Sequence, residues 1–145
     1  MYMKESEISV CFVLSGITAE LNEISDKLQI TPTKTRTLED WPESITNPGV
    51  QLPEELRPHY VWQIDTGYEH SRLVRERFIP VLRLLSGKED TINDLKEQFS
   101  LRASFTIGVH AQHDQCNLPE LFLTKEIVEF AAALGADIGF DMYLD

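Results

Sequence analysis

Four segments of the chain alternate apolar and polar side chains, the pattern of a β-strand with one buried face. They cover residues 8–15, 60–66, 101–110 and 138–144. The third is the most regular, and its apolar face consists of Leu101, Ala103, Phe105, Ile107 and Val109. A shorter apolar segment, residues 118–123, predicts one more short strand. The alternation predicts that the apolar faces share one side of a sheet, so that Phe105 and Phe140 point the same way.

Apolar residues recur at helical spacing in four other segments, residues 19–28, 72–85, 90–99 and 125–134. Thr18, Ser71 and Thr124 precede three of them and are predicted N-caps, because a hydroxyl there can accept a backbone hydrogen bond. Gly135 follows the last helix at the position that favours a left-handed glycine. Pro80 lies inside the second helix and is expected to kink or split it, since proline removes a helical hydrogen bond.

The order of these elements predicts the fold class. Strands with one apolar and one mixed face are typical of an antiparallel or mixed sheet that is covered by helices on one side only. We therefore expect a two-layer α+β sandwich related to the ferredoxin-like plan, with the first and last strand–helix–strand units as its two halves. A chain of 145 residues is long enough for one good core, so residues 1–145 are predicted to form a single domain.

Residues 31–58 follow neither period and contain five of the seven prolines. The segment from Thr31 to Arg36 suits a short extended edge that proline and charge protect from pairing. The remainder, around Trp41, is predicted to be a long loop within the domain. Loops of this length are uncommon in compact domains and are usually functional or disordered. This segment is therefore the first place to search for a site.

Charge narrows the function classes. The chain has 24 acidic and 13 basic side chains, hence a formal net charge of −11. Phosphates would be repelled, so we expect neither a nucleic-acid binder nor a protein of anionic membranes. No apolar segment reaches the ~20 residues of a membrane span. The first residues carry acids where a secretory signal needs basic and then apolar ones. With only two cysteines, Cys11 and Cys116, a reduced cytoplasmic protein is expected.

Three pieces of the sequence resemble a known family. They are residues 28–33 (LQITPT), residues 62–67 (WQIDTG) and the C-terminal part from Leu123 through Gly135 to Tyr143. In their order and spacing the chain resembles the small bacterial proteins of domain-of-unknown-function family 4279, over nearly its whole length. The resemblance implies a bacterial cytoplasmic protein and offers no catalytic residues to transfer. Between Thr33 and Trp62 the sequence matches the family little.

Candidate chemistry is sparse. The sequence has no Gly-x-Ser-x-Gly elbow and no glycine-rich phosphate loop, so an enzyme is not the favoured interpretation and no cofactor is expected. Weak candidates for a small-ligand or anion site are Lys34, Arg36, Trp41 and His110. His110, His113 and Cys116 are competent zinc ligands. Their spacing imposes no common geometry and no second ligand pair is visible, so a polar turn is favoured over a metal site.

The second face of the sheet is the most informative feature. By alternation it collects a mixture of hydroxyl, acidic, basic and aromatic side chains, among them Asp65, Arg102, Asp141, Tyr143 and Asp145. Such a face suits a solvated surface, a dimer interface, a shallow ligand floor or an acidic docking surface. Arg102 is expected to neutralise one of the three aspartates and to leave a net negative patch.

These observations favour a non-enzymatic domain that binds another protein, and the acidic charge favours a basic one. An immunity-type protein, which neutralises a toxin by binding it, fits the small size and acidic charge, since opposite charge steers docking. The alternative is a small-ligand or anion binder, or an enzyme, that uses residues 31–58 over the second face. A deep pocket lined by Lys34, Arg36, Trp41 and His110 would favour the alternative, and a flat acidic surface would favour the protein partner. A homodimer is a further expectation for the same face.

Overall fold

The computed structural model describes residues 6–42, 53, 57–111 and 118–144. Within these ranges the secondary structure comprises a short 3₁₀ turn (Leu38–Asp40), six strands and four α-helices. In chain order the strands and helices are β1 (Glu7–Gly16), α1 (Leu21–Leu28), β2 (Lys34–Arg36), β3 (Tyr60–Asp65), β4 (Glu69–His70), α2 (Val74–Leu85), α3 (Glu89–Phe99), β5 (Arg102–Ala111), α4 (Lys125–Ala133) and β6 (Asp137–Leu144).

The strands form one mixed sheet in the order β2-β3-β1-β5-β6, with β4 beside the start of β1. Its neighbours are antiparallel except for β5 and β6, which α4 joins as a parallel pair. The predicted α+β class with a mixed sheet is confirmed. The two strand–helix–strand units are not equivalent halves, however, because β1 and β3 are antiparallel neighbours and β5 and β6 are parallel ones.

All four helices pack on one side of the sheet, where the buried apolar residues form one core cluster. Register places Phe12 opposite both Ile64 and Phe105, so the apolar faces of the three central strands coincide as predicted. On β6, Phe140 lies opposite Ile107 and shares that side. Phe140 and Met142 are nevertheless 39% and 41% exposed, because β6 is an edge strand with no described strand on its outer side.

Two predicted helix caps are wrong. Helix α1 begins at Leu21 with Glu20 as its N-cap, not Thr18, and no side chain caps it. Helix α2 likewise has Leu73 as its N-cap instead of Ser71. The third prediction is confirmed, since the Thr124 hydroxyl accepts a hydrogen bond of 3.2 Å from the Ile127 amide.

Pro80 neither splits α2 nor ends it, and the helix runs from Val74 to Leu85. Proline at this position removes one hydrogen bond of the α-helical ladder. The buried side chains of Phe78, Val81 and Leu85 hold both halves of the helix on the core, while Pro80 itself is exposed. Packing of the apolar face therefore outweighs the missing bond.

The strand predicted for residues 118–123 is reduced to one parallel bridge, between Leu73 and Glu120. Its two backbone hydrogen bonds run from the Glu120 amide to the Arg72 carbonyl (2.7 Å) and from the Val74 amide to the Glu120 carbonyl (3.2 Å). The pairing cannot continue past this bridge because the partner segment enters helix α2 at Val74. The extended edge predicted for the segment Thr31 to Arg36 is confirmed as β2, which pairs with β3.

Candidate functional site

The sheet surface opposite the helices is called the open face here, and the register of the strands defines it. Residues of odd number on β1 share it with their partners on both sides. Cys11, for example, lies between Asp65 and Thr106. No helix among the described residues covers this surface. It spans five strands and about 27 Å along β1.

Charge divides the open face into two ends. The acidic end carries Glu7, Asp65 and Asp141, which lie opposite His110, Cys11 and Gly108 respectively. The basic end carries Lys34, Arg36 and Arg102. In the rows of directly opposite residues that run across the strands, Lys34 is level with Val13, and Arg36 and Arg102 are level with Ser15. The face is therefore not uniformly acidic, although the chain as a whole is.

An aromatic cluster of Tyr68, His110 and Tyr143 occupies the acidic end. The imidazole ring of His110 stacks on Tyr143, with ring centroids 4.6 Å apart and planes inclined by 16°. Tyr68 meets the same imidazole edge-on, also at 4.6 Å. Tyr68 and Tyr143 both remain about half exposed. The cluster thus combines a fixed ring geometry with exposed aromatic surface.

A bulge between β3 and β4 places Tyr68 over the sheet. The Thr66 amide donates to the Val10 carbonyl, and the Thr66 hydroxyl accepts from the Val10 amide, both at 3.0 Å, so the pairing with β1 continues there. Gly67 has a φ of +75°, which suits glycine, and its amide donates to the Asp65 carboxylate at 2.8 Å. The chain then turns outward, and bulges of this kind characteristically re-aim a side chain.

Gly108 makes room for the Tyr68 ring. A Cβ atom at this position would overlap the Tyr68 hydroxyl and would lie 2.7 Å from the Ser9 hydroxyl oxygen. An isolated glycine within a strand commonly marks such a close approach. Gly108 is therefore the signal in the sequence for a close approach to β5, although nothing in the sequence identifies Tyr68 as the residue that makes it.

At the basic end, Trp41 contacts Arg36 and His59, and its ring is tilted by 51° to that of His59. The Arg36 guanidinium carbon lies 4.9 Å from the centre of the Trp41 ring system, and the rings of Trp41 and His59 are 4.7 Å apart. The Trp41 indole N–H donates to the His59 carbonyl at 2.8 Å. Guanidinium groups over indole rings are a favourable cation–π arrangement.

A cleft of about 430 Å³ also opens at the basic end, beside Arg102. Arg102 forms an exposed ion pair of 3.8 Å with Asp137 across the β5–β6 pair. The cleft is lined by Ser15, Gly16, Ile17, His59, Ser100, Arg102, Ala103, Ser104 and Asp137. Cationic and hydroxyl side chains at one wall are groups that bind anions, although the cleft is shallow and also contains a carboxylate.

The structure separates the four residues predicted to share a ligand site. Lys34, Arg36 and Trp41 lie together at the basic end, but none of them lines the cleft. His110 lies at the opposite end, since it follows Arg102 by eight strand residues, or about 26 Å. A single pocket lined by all four, which would have favoured the small-ligand alternative, is therefore not formed by these residues.

The structure also corrects the expected role of Arg102. It pairs with Asp137 instead of with Asp65 or Asp141, because those two aspartates lie in other rows of the sheet. Asp65 and Asp141 themselves share the open face, and Asp145 lies outside the described residues. Asp141 lies three rows of the sheet from Arg102, whereas Asp65 lies in the row next to that of Lys34.

Of the three candidate zinc ligands, the structure describes only His110. His113 and Cys116 lie outside the described residues, and His110 belongs to the aromatic cluster. Among residues 6–42, 53, 57–111 and 118–144, no three His, Cys, Asp or Glu side chains converge to hold a metal ion.

Cys11 lies on the open face between two neighbouring strands and is half-buried. Burial raises the pKa of its thiol to about 12, and the neighbouring carboxylate of Asp65 acts in the same direction. A thiol with so high a pKa stays protonated at neutral pH, and the thiolate is the nucleophilic form. These properties are opposite to those of a catalytic cysteine.

We expect Cys11 to react with Ellman's reagent at pH 8 about 100-fold more slowly in the folded protein than in urea, measured in a Cys116→Ser background.

The raised pKa also predicts a pH dependence of stability. The folded state holds the thiol proton more tightly than the unfolded state does, so the protonated thiol adds to the free energy of unfolding. This contribution is complete below pH 9, the ordinary thiol pKa, and is lost as the pH rises towards 12. A Cys11→Ser variant should lack this dependence. Equal rates of reaction of Cys11 with Ellman's reagent in the folded protein and in urea would contradict the predicted protection of the thiol.

Comparison with known proteins gives one match. A family model described as "Domain of unknown function (DUF4279)" matches residues 6–145, nearly the whole chain. No curated protein and no solved structure matches. In the part of the chain that the structure describes, every helix is too short or too polar to cross a bilayer.

Proposed function

The chain belongs to the DUF4279 family, and we propose that it is a non-enzymatic, protein-binding domain that docks a basic partner on the acidic end of its open face. The observation that carries this proposal is the exposed aromatic cluster of Tyr68, His110 and Tyr143, set among the carboxylates of Glu7, Asp65 and Asp141. The proposal includes a bacterial cytoplasmic setting, supported by the family resemblance and by the free thiol of Cys11.

Aromatic side chains support a protein partner more than a small ligand. Tyrosine is enriched among the residues that contribute most to binding at protein interfaces, where its ring supplies contact area and its hydroxyl a hydrogen bond. Tyr68 and Tyr143 are held by their contacts with His110, so little side-chain entropy is lost when a partner covers them. The cleft that could hold a small ligand lies at the other end of the open face and is lined by none of these three rings.

The negative net charge of the chain favours a basic protein as the partner. A net charge of −11 creates a negative potential that attracts a basic protein, and carboxylates at the contact surface steer the encounter. A small acidic protein that blocks a basic toxin, an immunity-type protein, is the specific form of this proposal. The same charge disfavours nucleic acid as the occupant.

The test begins with partners that are captured from the native host by crosslinking to the purified chain and identified by mass spectrometry. Binding kinetics are then compared for the wild type and for a Glu7→Gln, Asp65→Asn, Asp141→Asn variant. We expect the association rate at low salt to fall about tenfold or more and its salt dependence to flatten. A Tyr143→Ala variant should instead mainly increase the dissociation rate.

The matched control removes three carboxylates from the helix side by Asp26→Asn, Asp94→Asn and Glu97→Gln, all at exposed positions. The net charge changes equally in both triple variants, so a specific role of the open face requires a much smaller effect in the control. Equal association rates for the wild type and the open-face variant would refute electrostatic docking at this end.

A second candidate function is favoured by the cleft beside Arg102. Arg102 and His59 stand there with the hydroxyls of Ser15 and Ser104, a set that could hold a carboxylate or phosphate group. Titration with inorganic phosphate, followed by NMR, would test it. Binding that is lost in Arg102→Gln but retained in Arg83→Gln, on the exposed side of α2, would support an anion site. Absence of binding in the millimolar range would exclude inorganic phosphate as its ligand.

A further inference from the structure

The two edges of the sheet differ in how well they are protected from pairing. Edge strands present unpaired N–H and C=O groups, and proteins usually protect them by shortness, proline, lysine or a bulge. The β2 edge is three residues long, follows Pro32 and carries Lys34 and Arg36. The β6 edge is eight residues long and contains neither proline nor lysine between Asp137 and Leu144.

On the helix side of the sheet, apolar side chains of β6 remain partly exposed beside buried residues of β5. Phe140 and Met142 lie opposite Ile107 and Val109, which are fully buried, but are themselves 39% and 41% exposed. On its outer side, β6 pairs with no strand among the described residues. A strand added there would both complete the hydrogen bonds of β6 and cover this apolar row.

Register shows that β6 can add to a second copy of itself. A two-fold axis perpendicular to the sheet makes the two β6 strands antiparallel and keeps both helix layers on one side. Because directly opposite residues then point to the same side of the sheet, the axis must pass midway between the two copies of one residue. Two such registers join seven residues of each strand, centred on Phe140 or on Asp141. The second places Asp141 directly opposite itself, and like charges in that position are destabilising.

The register centred on Phe140 is self-complementary. It places Phe140 opposite itself and Ile138 opposite Met142 on the apolar side. On the open face it sets Asp141 opposite Gly139 and Asp137 opposite Tyr143, so no carboxylates are directly paired. Each copy thus supplies the apolar cover that the other lacks.

We propose that two copies of the chain associate through antiparallel pairing of their β6 strands, centred on Phe140, into one continuous sheet. The inference does not rest on the proposed function, since it is argued from the unpaired edge and the apolar row of β6, although Asp141 and Tyr143 of the acidic end belong to the same strand. It joins two open faces side by side and leaves both accessible.

Gly139 allows a sharp test, because a Cβ atom there meets no atom within 4 Å and its φ is not positive. In the proposed register residue 139 faces Asp141 of the other copy, twice per dimer. By sedimentation equilibrium from about 1 to 500 µM, we expect Gly139→Lys to tighten the dimer about five- to tenfold and Gly139→Asp to weaken it similarly. Gly139→Ala is the neutral control. A register centred on Asp141 would set residue 139 opposite Tyr143 and would not respond in this way.

Cysteine crosslinking gives a second, independent readout. In a Cys11→Ser, Cys116→Ser background, Phe140→Cys should form a disulfide-linked dimer on mild oxidation, because directly opposite residues have the Cα spacing that disulfides require. Met142→Cys should not, since its two copies would lie about 13 Å apart. A wild-type mass of 16.6 kDa at every concentration would overturn the proposal, as would a dimer that is insensitive to charge at residue 139.

Discussion

Replacing Phe105 with alanine is expected to lower the free energy of unfolding by about 3–5 kcal/mol, the usual cost of truncating a buried phenylalanine. Phe105 lies at the centre of the sheet and is 1% exposed. Its ring centroid is 5.1 Å from that of Phe12 on β1 and 5.5 Å from that of Phe78 on α2. Truncation would therefore open a cavity at the contact between the sheet and its longest helix.

Urea unfolding followed by circular dichroism measures this effect. Phe122→Ala is the matched control, because it makes the same chemical change at a residue that is 56% exposed, and we expect it to alter stability by no more than about 0.5 kcal/mol. Similar losses in the two variants would contradict the position of Phe105 in the core.

Replacing Trp62 with alanine is expected to cost a similar 3–5 kcal/mol and to loosen one helix selectively. Trp62 on β3 is fully buried, and its indole N–H donates to the Ser25 hydroxyl on α1 at 3.0 Å. The side chain thus fills the space under α1 and also binds it by a hydrogen bond. Without it, α1 loses both contacts, whereas α3 keeps its own apolar residues in the core.

Hydrogen exchange by mass spectrometry tests the selective part of this prediction. In Trp62→Ala, peptides from α1 should lose protection before peptides from α3. The control is Trp41→Ala, which removes the same side chain at a partly exposed position and should cost at most about 1–2 kcal/mol. Uniform loss of protection in both helices would show that Trp62 stabilises the whole core and does not specifically hold α1.

The strands could be predicted because each has one consistently apolar face. Phe12, Ile64 and Phe105 follow period two in the sequence and meet at one point of the core. The burial of β6 could not be predicted in this way. Its alternation is as regular as that of β5, but alternation does not show whether a strand is central or at an edge, so Phe140 was expected to be covered.

The candidate site was less accessible to sequence analysis because it depends on contacts between distant segments. Alternation places His110 and Tyr143 on one face, but their stacking requires the parallel register of β5 and β6. Tyr68 reaches the same cluster only through a bulge, whose position is set by the hydrogen bonds of Thr66. Local pattern could not show either relation, nor that His110 and Trp41 lie at opposite ends of the open face.

The arrangement of β1 at the centre of the sheet has a consequence for the folding of the chain. β1 is synthesised first, but its partner β5 follows about a hundred residues later, and such distant pairings form slowly because a long loop must first close. Until then the alternating apolar face of β1, which includes Ile8 and Phe12, has no sheet neighbour on one side. We therefore expect newly made chains to be open to mispairing along one edge of β1 until β5 has been synthesised.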